Sequence, residues 1–357
     1  MRGLRDQVVV ITGASSGIGR AAALAFADRG ARLALAARRP EALDSIAAAC
    51  RARGADAVAV SADVTDPQAV ERLARRAEEA FGRIDVWINN AGTGVFGPYQ
   101  DAPLDLHRRT VEINLLGGMY GAYAALPRFL RQGHGTLITN ISLGGWAPAP
   151  FAAAYSASKF GLRAFTASLR QEVRRHPGIH VCSVFPAMVD TPGLEHGANV
   201  SGRQIDTGPL VYAPEEVAET FVRLVRHPRD EVAVGWPARA AQVAYALAPG
   251  PTEHLTGAAI HRMLDRAKPA RYSYGAIRRP LDDAPRIGGG WRARHGVPSA
   301  RTLSMTGLAI LGGATLVALG SAAARAGAEA EKLRPTRNRF DSLSVTGLGR
   351  LNKAFVS

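Results

Sequence analysis

From Val8 onward the chain repeats one unit: a short run of β-branched or small apolar residues, a turn, and a longer amphipathic stretch. That alternation predicts strands and helices arranged around a parallel sheet. Strands are expected at 8–12, 32–37, 56–60, 84–88, 135–141, 179–185 and 231–234, and helices near 17–29, 41–53, 67–81, 104–131, 153–176 and 214–227. Runs such as RLALAA and HVCSVF are apolar or small at nearly every position, the pattern of strands covered by helices on both faces. The expected fold is an α/β, doubly wound parallel sheet of about seven strands.

Past Trp236 the rhythm breaks. A globular domain is expected over residues 1–248, and residues 249–301, rich in Pro, Gly and Arg, read as an irregular extension or linker. The run from Thr302 to Ala324 carries no charge and is long enough to cross a bilayer as a helix. It is read first as a membrane anchor and second, because glycine and alanine contribute little transfer energy, as an apolar helix packed on the core or on a partner subunit. Residues 325–357 form a basic C-terminal tail.

The formal net charge of +14 is unevenly spread: residues 251–357 hold 17 Lys+Arg against 7 Asp+Glu, whereas residues 1–250 hold 27 against 23. The tail's charge suits anionic lipid headgroups. Its basic residues are not interleaved with aromatic ones, and no helix-turn-helix or zinc pattern accompanies them, so no nucleic-acid partner is expected. Cys50 and Cys182 lack metal-ligand spacing and read as two buried thiols; the nine scattered histidines make no metal cluster, and no metal is expected. The first apolar run, VVVITG from Val8, is too short and too glycine-bounded for a secretory signal, so a cytoplasmic catalytic domain is expected, with membrane association through residues 302–324.

TGASSGIGR, Thr12 to Arg20, stands between the first strand and an alanine-rich helix. Gly13 permits the tight turn, while Gly17 and Gly19 let the backbone approach a pyrophosphate and the helix approach the strand. The helix start adds free N–H groups, so Gly13, Ser15, Ser16, Gly17, Ile18 and Gly19 are candidates to line a dinucleotide in a Rossmann-type fold. The second strand ends in ALAARRPEAL, with Arg38 and Arg39 where an NAD site usually places a carboxylate. Guanidinium groups suit a 2′-phosphate, which points to NADP(H); the bland alternative is two solvated surface arginines. SADVTD offers Asp63 and Val64 to the adenine, and INNAGTG offers Asn89, Asn90, Ala91 and Gly92, though either asparagine is also a good turn former.

In YSASK, Tyr155 and Lys159 are four residues apart and share a helix face. A phenol titrates near pH 10, so neutral-pH proton exchange needs a neighbouring positive charge, which Lys159 supplies. Hydride transfer to a carbonyl also needs a hydrogen bond to the developing alkoxide, a role for Ser142 at the end of the fifth strand. Taken together, TGASSGIG, NNAG, Asn114 in VEINLLG, Ser142 and YSASK resemble the short-chain dehydrogenase/reductase family over about residues 5–235. The resemblance implies an Asn-Ser-Tyr-Lys tetrad in which Asn114 holds a relay water, Ser142 positions the carbonyl, Tyr155 is the acid/base, and Lys159 binds the ribose and lowers the tyrosine pKa. It also implies cofactor contacts from Pro186 and from Thr191, at the nicotinamide carboxamide. One departure is Ala187, where the family usually has glycine after proline.

The substrate loop is expected between Met188 and Tyr212, with Val95, Phe96, Leu143, Trp146 and Phe151 as apolar pocket candidates. Trp146 and Phe151 suit the core or a dimer contact equally well. These residues favour a lipophilic carbonyl or alcohol substrate. Two alternatives stand: a 3-oxoacyl-thioester reductase whose basic patches meet an acidic carrier, and an NADP(H)-binding sensor or scaffold tethered by the tail. A homodimer or homotetramer, paired through the helices at 104–131 and 153–176, follows from the resemblance.

Overall fold

A computed structural model describes residues 3–296. The apolar run 302–324 and the tail 325–357 lie outside the described residues. Among the described residues no helix is long and apolar enough to cross a membrane.

Seven parallel strands form one sheet: β1 (Val8–Thr12), β2 (Arg32–Ala37), β3 (Ala57–Ser61), β4 (Val86–Asn89), β6 (Gly135–Asn140), β7 (Ile179–Pro186) and β9 (Glu231–Val234). Two short strands, β5 (Val95–Phe96) and β8 (Ala198–Asn199), pair in a separate parallel ladder. The order β3-β2-β1-β4-β6-β7-β9 reverses direction between β1 and β4, opening a crevice at the strands' carboxyl ends.

Alternate residues of the same strand feed two different cores, as a period of two requires. Val9, Ile11, Leu33, Leu35 and Ile88 pack with Phe26 of α1 (Gly17–Ala27), Ile46 of α2 (Pro40–Arg51) and Phe221 of α8 (Pro214–Arg226). Val10, Ala34, Ala36, Trp87 and Leu137 face the other way, against Leu73 of α3 (Pro67–Phe81), Phe129 of α5 (Gly117–Gln132) and Leu169 of α6 (Ala153–Glu172). Both cysteines are free and buried, and burial pushes each thiol up to about 11.

Local chemistry explains the helix limits. In α3 the Asp66 carboxylate accepts from the Gln68 N–H, Pro67 opens the first turn, and Gly82 ends the helix in the left-handed conformation. The stretch expected as one helix over 104–131 is three pieces: α4 (Leu104–Val111), a π turn at Glu112–Leu116, and α5. The π turn carries Asn114, and such turns re-aim one residue out of helical register.

Beyond α7 (Gly193–His196) and β9, the structure departs from expectation. α9 (Trp236–Leu247) forms at the end of the expected domain, where no helix was expected, and α10 (Pro249–Arg266) forms in the stretch expected to be irregular. No residue of α10 is buried, so it lacks the buried stripe that a strong amphipathic pattern would announce. Residues 267–296 are not a free linker: Ile277 is fully buried, Trp291 of α11 (Trp291–Arg294) is 7% exposed, and Ile287 packs on the main core.

Candidate active site

The carboxyl ends of β1, β2, β4, β6 and β7 converge on the crevice. Gly13 has φ +66°, and a Cβ there would sit 2.9 Å from Ala91 Cα. A Cβ on Gly19 would lie 2.1 Å from the Gly13 carbonyl oxygen, so the turn folds back on itself closely enough to exclude any side chain. Ser15, Ser16 and Ile18 are partly exposed at the start of α1, where no side chain caps the helix. The Thr12 hydroxyl accepts from the Asn90 and Ala91 N–H groups at 3.0 and 3.2 Å. Asn90 Nδ2 donates to the Thr12 carbonyl, and its Oδ1 accepts from Asn140 Nδ2 at 2.9 Å. Asn90 thus braces the crevice floor across three strands, while Asn89 points into the core, accepting from Trp87 Nε1 and donating to the Gly118 carbonyl.

Arg38 and Arg39 stand at the end of β2 but are not solvated surface groups. Arg38 donates to the Ala276 and Ile277 carbonyls, and burial lowers its pKa, with Asp63 opposing the shift and Arg109 adding to it. Arg39 donates to the Leu281 and Asp283 carbonyls and pairs with the Asp283 carboxylate at 3.3 Å. Asp63 accepts from the Thr65 N–H and hydroxyl and pairs with Arg109 at 2.5 Å. Burial acts to raise its carboxyl, but those hydrogen bonds and the Arg109 charge outweigh it and hold the pKa low. Arg109 had no motif to announce it. Val64, 9% exposed, is a wall residue beside Gly117.

The four tetrad candidates come together. Ser142 leaves β6 with φ +149°, a strained conformation for a non-glycine residue; its Oγ accepts from the Gly144 N–H at 3.1 Å, and its hydroxyl acts on the Tyr155 phenol in the direction that favours phenolate. Tyr155, on the first turn of α6, is gripped by two glycines: a Cβ on Gly94 or Gly144 would lie 3.2 or 3.1 Å from its ring. Lys159, 4% exposed, places Nζ 5.6 Å from the tyrosine ring centroid and 3.2 Å from the Asn140 carbonyl it donates to. Asn114 Oδ1 accepts from the Thr93 N–H, while Nδ2 donates to the Thr93 carbonyl and to Ser158 Oγ. Ser158 donates in turn to the Tyr155 carbonyl at 2.7 Å, so the π turn is coupled to the turn carrying the phenol.

Burial dominates the electrostatics. It lowers the Lys159 ammonium to about 8 and raises the Tyr155 phenol, with the Ser142 hydrogen bond opposing the latter. The net direction at Tyr155 is opposite to the depression expected from Lys159.

Pro186 ends β7, and Thr191 lies across from Gly17. Trp146 belongs to the core: it is 2% exposed and stacks on Phe185 at 3.8 Å. Val95 is likewise buried, within a small cluster around β5 and β8. Phe151 sits between Phe96 and His261 of α10, ring centroids 6.0 and 5.0 Å away. Sequence reasoning missed His261, which lies in a stretch expected to be structureless. It also missed Asp190, a buried carboxylate accepting from the Gly289, Trp291 and Arg292 N–H groups.

Residues 7–199 match the family described as short chain dehydrogenase. The uncharacterized oxidoreductase YxnA of Bacillus subtilis (strain 168) is 36% identical over 258 residues, which covers 71% of this chain and 72% of that protein. Among solved structures, the alcohol dehydrogenase from the archaeon Thermococcus sibiricus, complexed with 5-hydroxy-NADP, is 29% identical with a TM-score of 0.58, covering 65% of this chain and 97% of that one. An actinorhodin polyketide ketoreductase with NADPH is 30% identical with a TM-score of 0.59, over 66% of this chain and 98% of that one.

Proposed function

Because the chain belongs to the short-chain dehydrogenase family of oxidoreductases, we propose that it moves a hydride between NADP(H) and a lipophilic carbonyl or alcohol, with Tyr155 as acid and base. The observation that carries this reading is the cluster itself: the Ser142 hydroxyl and the Tyr155 phenol side by side against Gly144, with a buried lysine behind the ring. Separately these residues have ordinary structural uses; jointly, at the carboxyl end of a parallel sheet, they form a site for proton exchange.

The crevice fits a dinucleotide. Gly13 and Gly19 leave room for backbone approach, and the buried Thr93 Oγ1 and Asn140 Oδ1 make no hydrogen bond within the protein. Gly13, Ser15, Ser16, Gly17, Ile18 and Gly19 would hold the pyrophosphate and adjoining ribose, Arg38 and Arg39 the 2′-phosphate, Asp63 and Val64 the adenine edge, and Asn90, Ala91, Gly92, Pro186 and Thr191 the nicotinamide half. The arginines at the end of β2 favour NADP(H) over NAD(H), in keeping with the NADP-type ligands of the two solved relatives.

Once bound, the nicotinamide supplies or accepts the hydride. The protein's part is to hold the reacting oxygen between the Ser142 hydroxyl and the Tyr155 phenol and to pass a proton at the phenol oxygen. Lys159 uses one N–H on the Asn140 carbonyl, leaving two for ribose hydroxyls, and its charge supports the phenolate. Asn114 acts as a positioning residue through Thr93 and Ser158. Phe96 and Phe151 supply an apolar rim, which supports a lipophilic substrate. Exposed Leu104, Tyr123 and Leu130 on α4 and α5 support pairing of subunits through those helices.

Turnover of NADPH with a panel of lipophilic ketones and aldehydes tests the reading, with Tyr155→Phe as the control. The variant is expected to bind NADPH as the parent does and to lose about a thousandfold in turnover. A variant that turns over at the parental rate removes Tyr155 from the chemistry.

A further inference from the structure

The segment after α10 takes an unexpected path. Ser273 exchanges backbone hydrogen bonds with Asn199, and the Ala276 N–H donates to the His196 carbonyl. Ile277 is then fully buried among Val95, Ala102, Leu106, Ala198 and Val200. At the other end Asp190 holds the Gly289 and Trp291 N–H groups at 2.9 Å each, and Trp291 Nε1 donates to the Thr191 carbonyl. The chain between these two anchors crosses the crevice mouth, and residues 278–282 within it are exposed.

That crossing segment and the anchor beside it use donors assigned above to the cofactor's phosphates. Arg38 donates to the carbonyls of Ala276 and Ile277 at 2.6 and 3.3 Å. Arg39 donates to the carbonyls of Leu281 and Asp283, both at 2.7 Å. The Asp283 carboxylate lies 3.3 Å from Arg39 and 2.9 Å from His196 Nε2. The Gly17 N–H, one of the unpaired donors at the start of α1, donates to the Arg286 carbonyl at 3.0 Å.

We propose that residues 278–286, hung between the Ile277 and Asp190 anchors, form an autoinhibitory strap, with Asp283 as an internal anion in the place of the 2′-phosphate, and that NADP(H) binds by displacing it. The proposal rests on the NADP(H) reading of Arg38 and Arg39. A 2′-phosphate brings more negative charge and more acceptor oxygens than one carboxylate and a few carbonyls, so it can win these guanidinium groups. Displacement is local: the Ile277 and Asp190 anchors lie at the two ends, and the exposed middle has little apolar packing to lose, its Arg278 being tied to Asp105 only by a solvent-exposed ion pair of small worth. The strap lowers apparent affinity by the fraction of time it is closed, and a ligand without a 2′-phosphate recovers less of that loss.

Hydrogen exchange on the full chain, with and without NADPH, tests this directly. Residues 12–20 are expected to gain protection while residues 278–286 lose it. Protection gained by both segments overturns the proposal, because the strap then clamps the cofactor instead of competing with it. If residues 12–20 show no response, the dinucleotide reading itself fails and the strap's role falls with it. Asp283→Asn is expected to tighten NADPH binding about fivefold, the scale of one partly exposed ion pair. Unchanged or weaker binding, with residues 12–20 still protected, overturns the competition alone.

Discussion

Lys159 is held at a cost to the fold, and Lys159→Met measures it. Burial takes the ammonium from 10.5 to about 8, which at about 1.4 kcal/mol per unit is about 3 kcal/mol against the charged form. Methionine keeps the length of the side chain without the charge but leaves the Asn140 carbonyl short of a donor, a loss of about 1–2 kcal/mol. The net expectation at pH 7 is a gain of about 1–2 kcal/mol, or about 2–4 °C in Tm, together with near-complete loss of turnover. The pH dependence has a definite sign. Below about 8 the lysine is protonated in both folded and unfolded chains, and the whole penalty is present. Between about 8 and 10.5 the unfolded chain binds the proton more tightly, so the parent gains stability as pH rises and the variant's advantage shrinks. Thermal unfolding of both proteins without added dinucleotide, at pH 7 and near 10.5, is the assay. A variant that melts lower at pH 7, or an advantage of the same size at both pH values, refutes the reasoning.

Other perturbations separate chemistry, cofactor choice and packing. Ser142→Ala removes the hydroxyl that accepts from the Gly144 N–H and favours the Tyr155 phenolate, and steady-state kinetics are expected to show turnover down about a hundredfold with NADPH affinity unchanged. Arg38→Ala is expected to cut the preference for NADPH over NADH by about tenfold or more, read as the ratio of kcat/KM for the two cofactors. Gly121→Ala would set a Cβ 2.0 Å from Asn89 Oδ1, forcing α5 off β4; a loss of about 1–3 kcal/mol is expected in denaturant unfolding.

Much of this protein was legible in its sequence because local and global preferences agree. Seven apolar runs with intervening amphipathic stretches became seven parallel strands with helices on both faces, most boundaries falling within two residues of those expected. TGASSGIG became the turn its glycines require, and YSASK brought Tyr155 and Lys159 onto one helix face beside Ser142. Such features depend on sequence-local geometry: a period, a turn conformation, a four-residue spacing.

What the sequence left open depends on contacts between distant residues. Asn89 and Asn90 are adjacent and chemically identical, yet one turns into the core and the other braces the crevice, because successive side chains along a strand point to opposite faces. Trp146 was equally a pocket or a core residue until Phe185 was seen stacked against it. Residues 267–291 have no periodicity to read, since beyond Ile277, Asp283 and Trp291 they are held largely through backbone carbonyls and N–H groups, and only the fold brings Arg38, Arg39, Gly17 and Asp190 within reach. The sequence by itself thus determined the sheet, the glycine turn and the four-residue spacing that sets Tyr155 and Lys159 on one helix face. The tertiary structure alone decided that the arginines at the end of β2 and the N–H of Gly17 face the protein's own chain, because a carbonyl acceptor leaves no mark in the order of side chains.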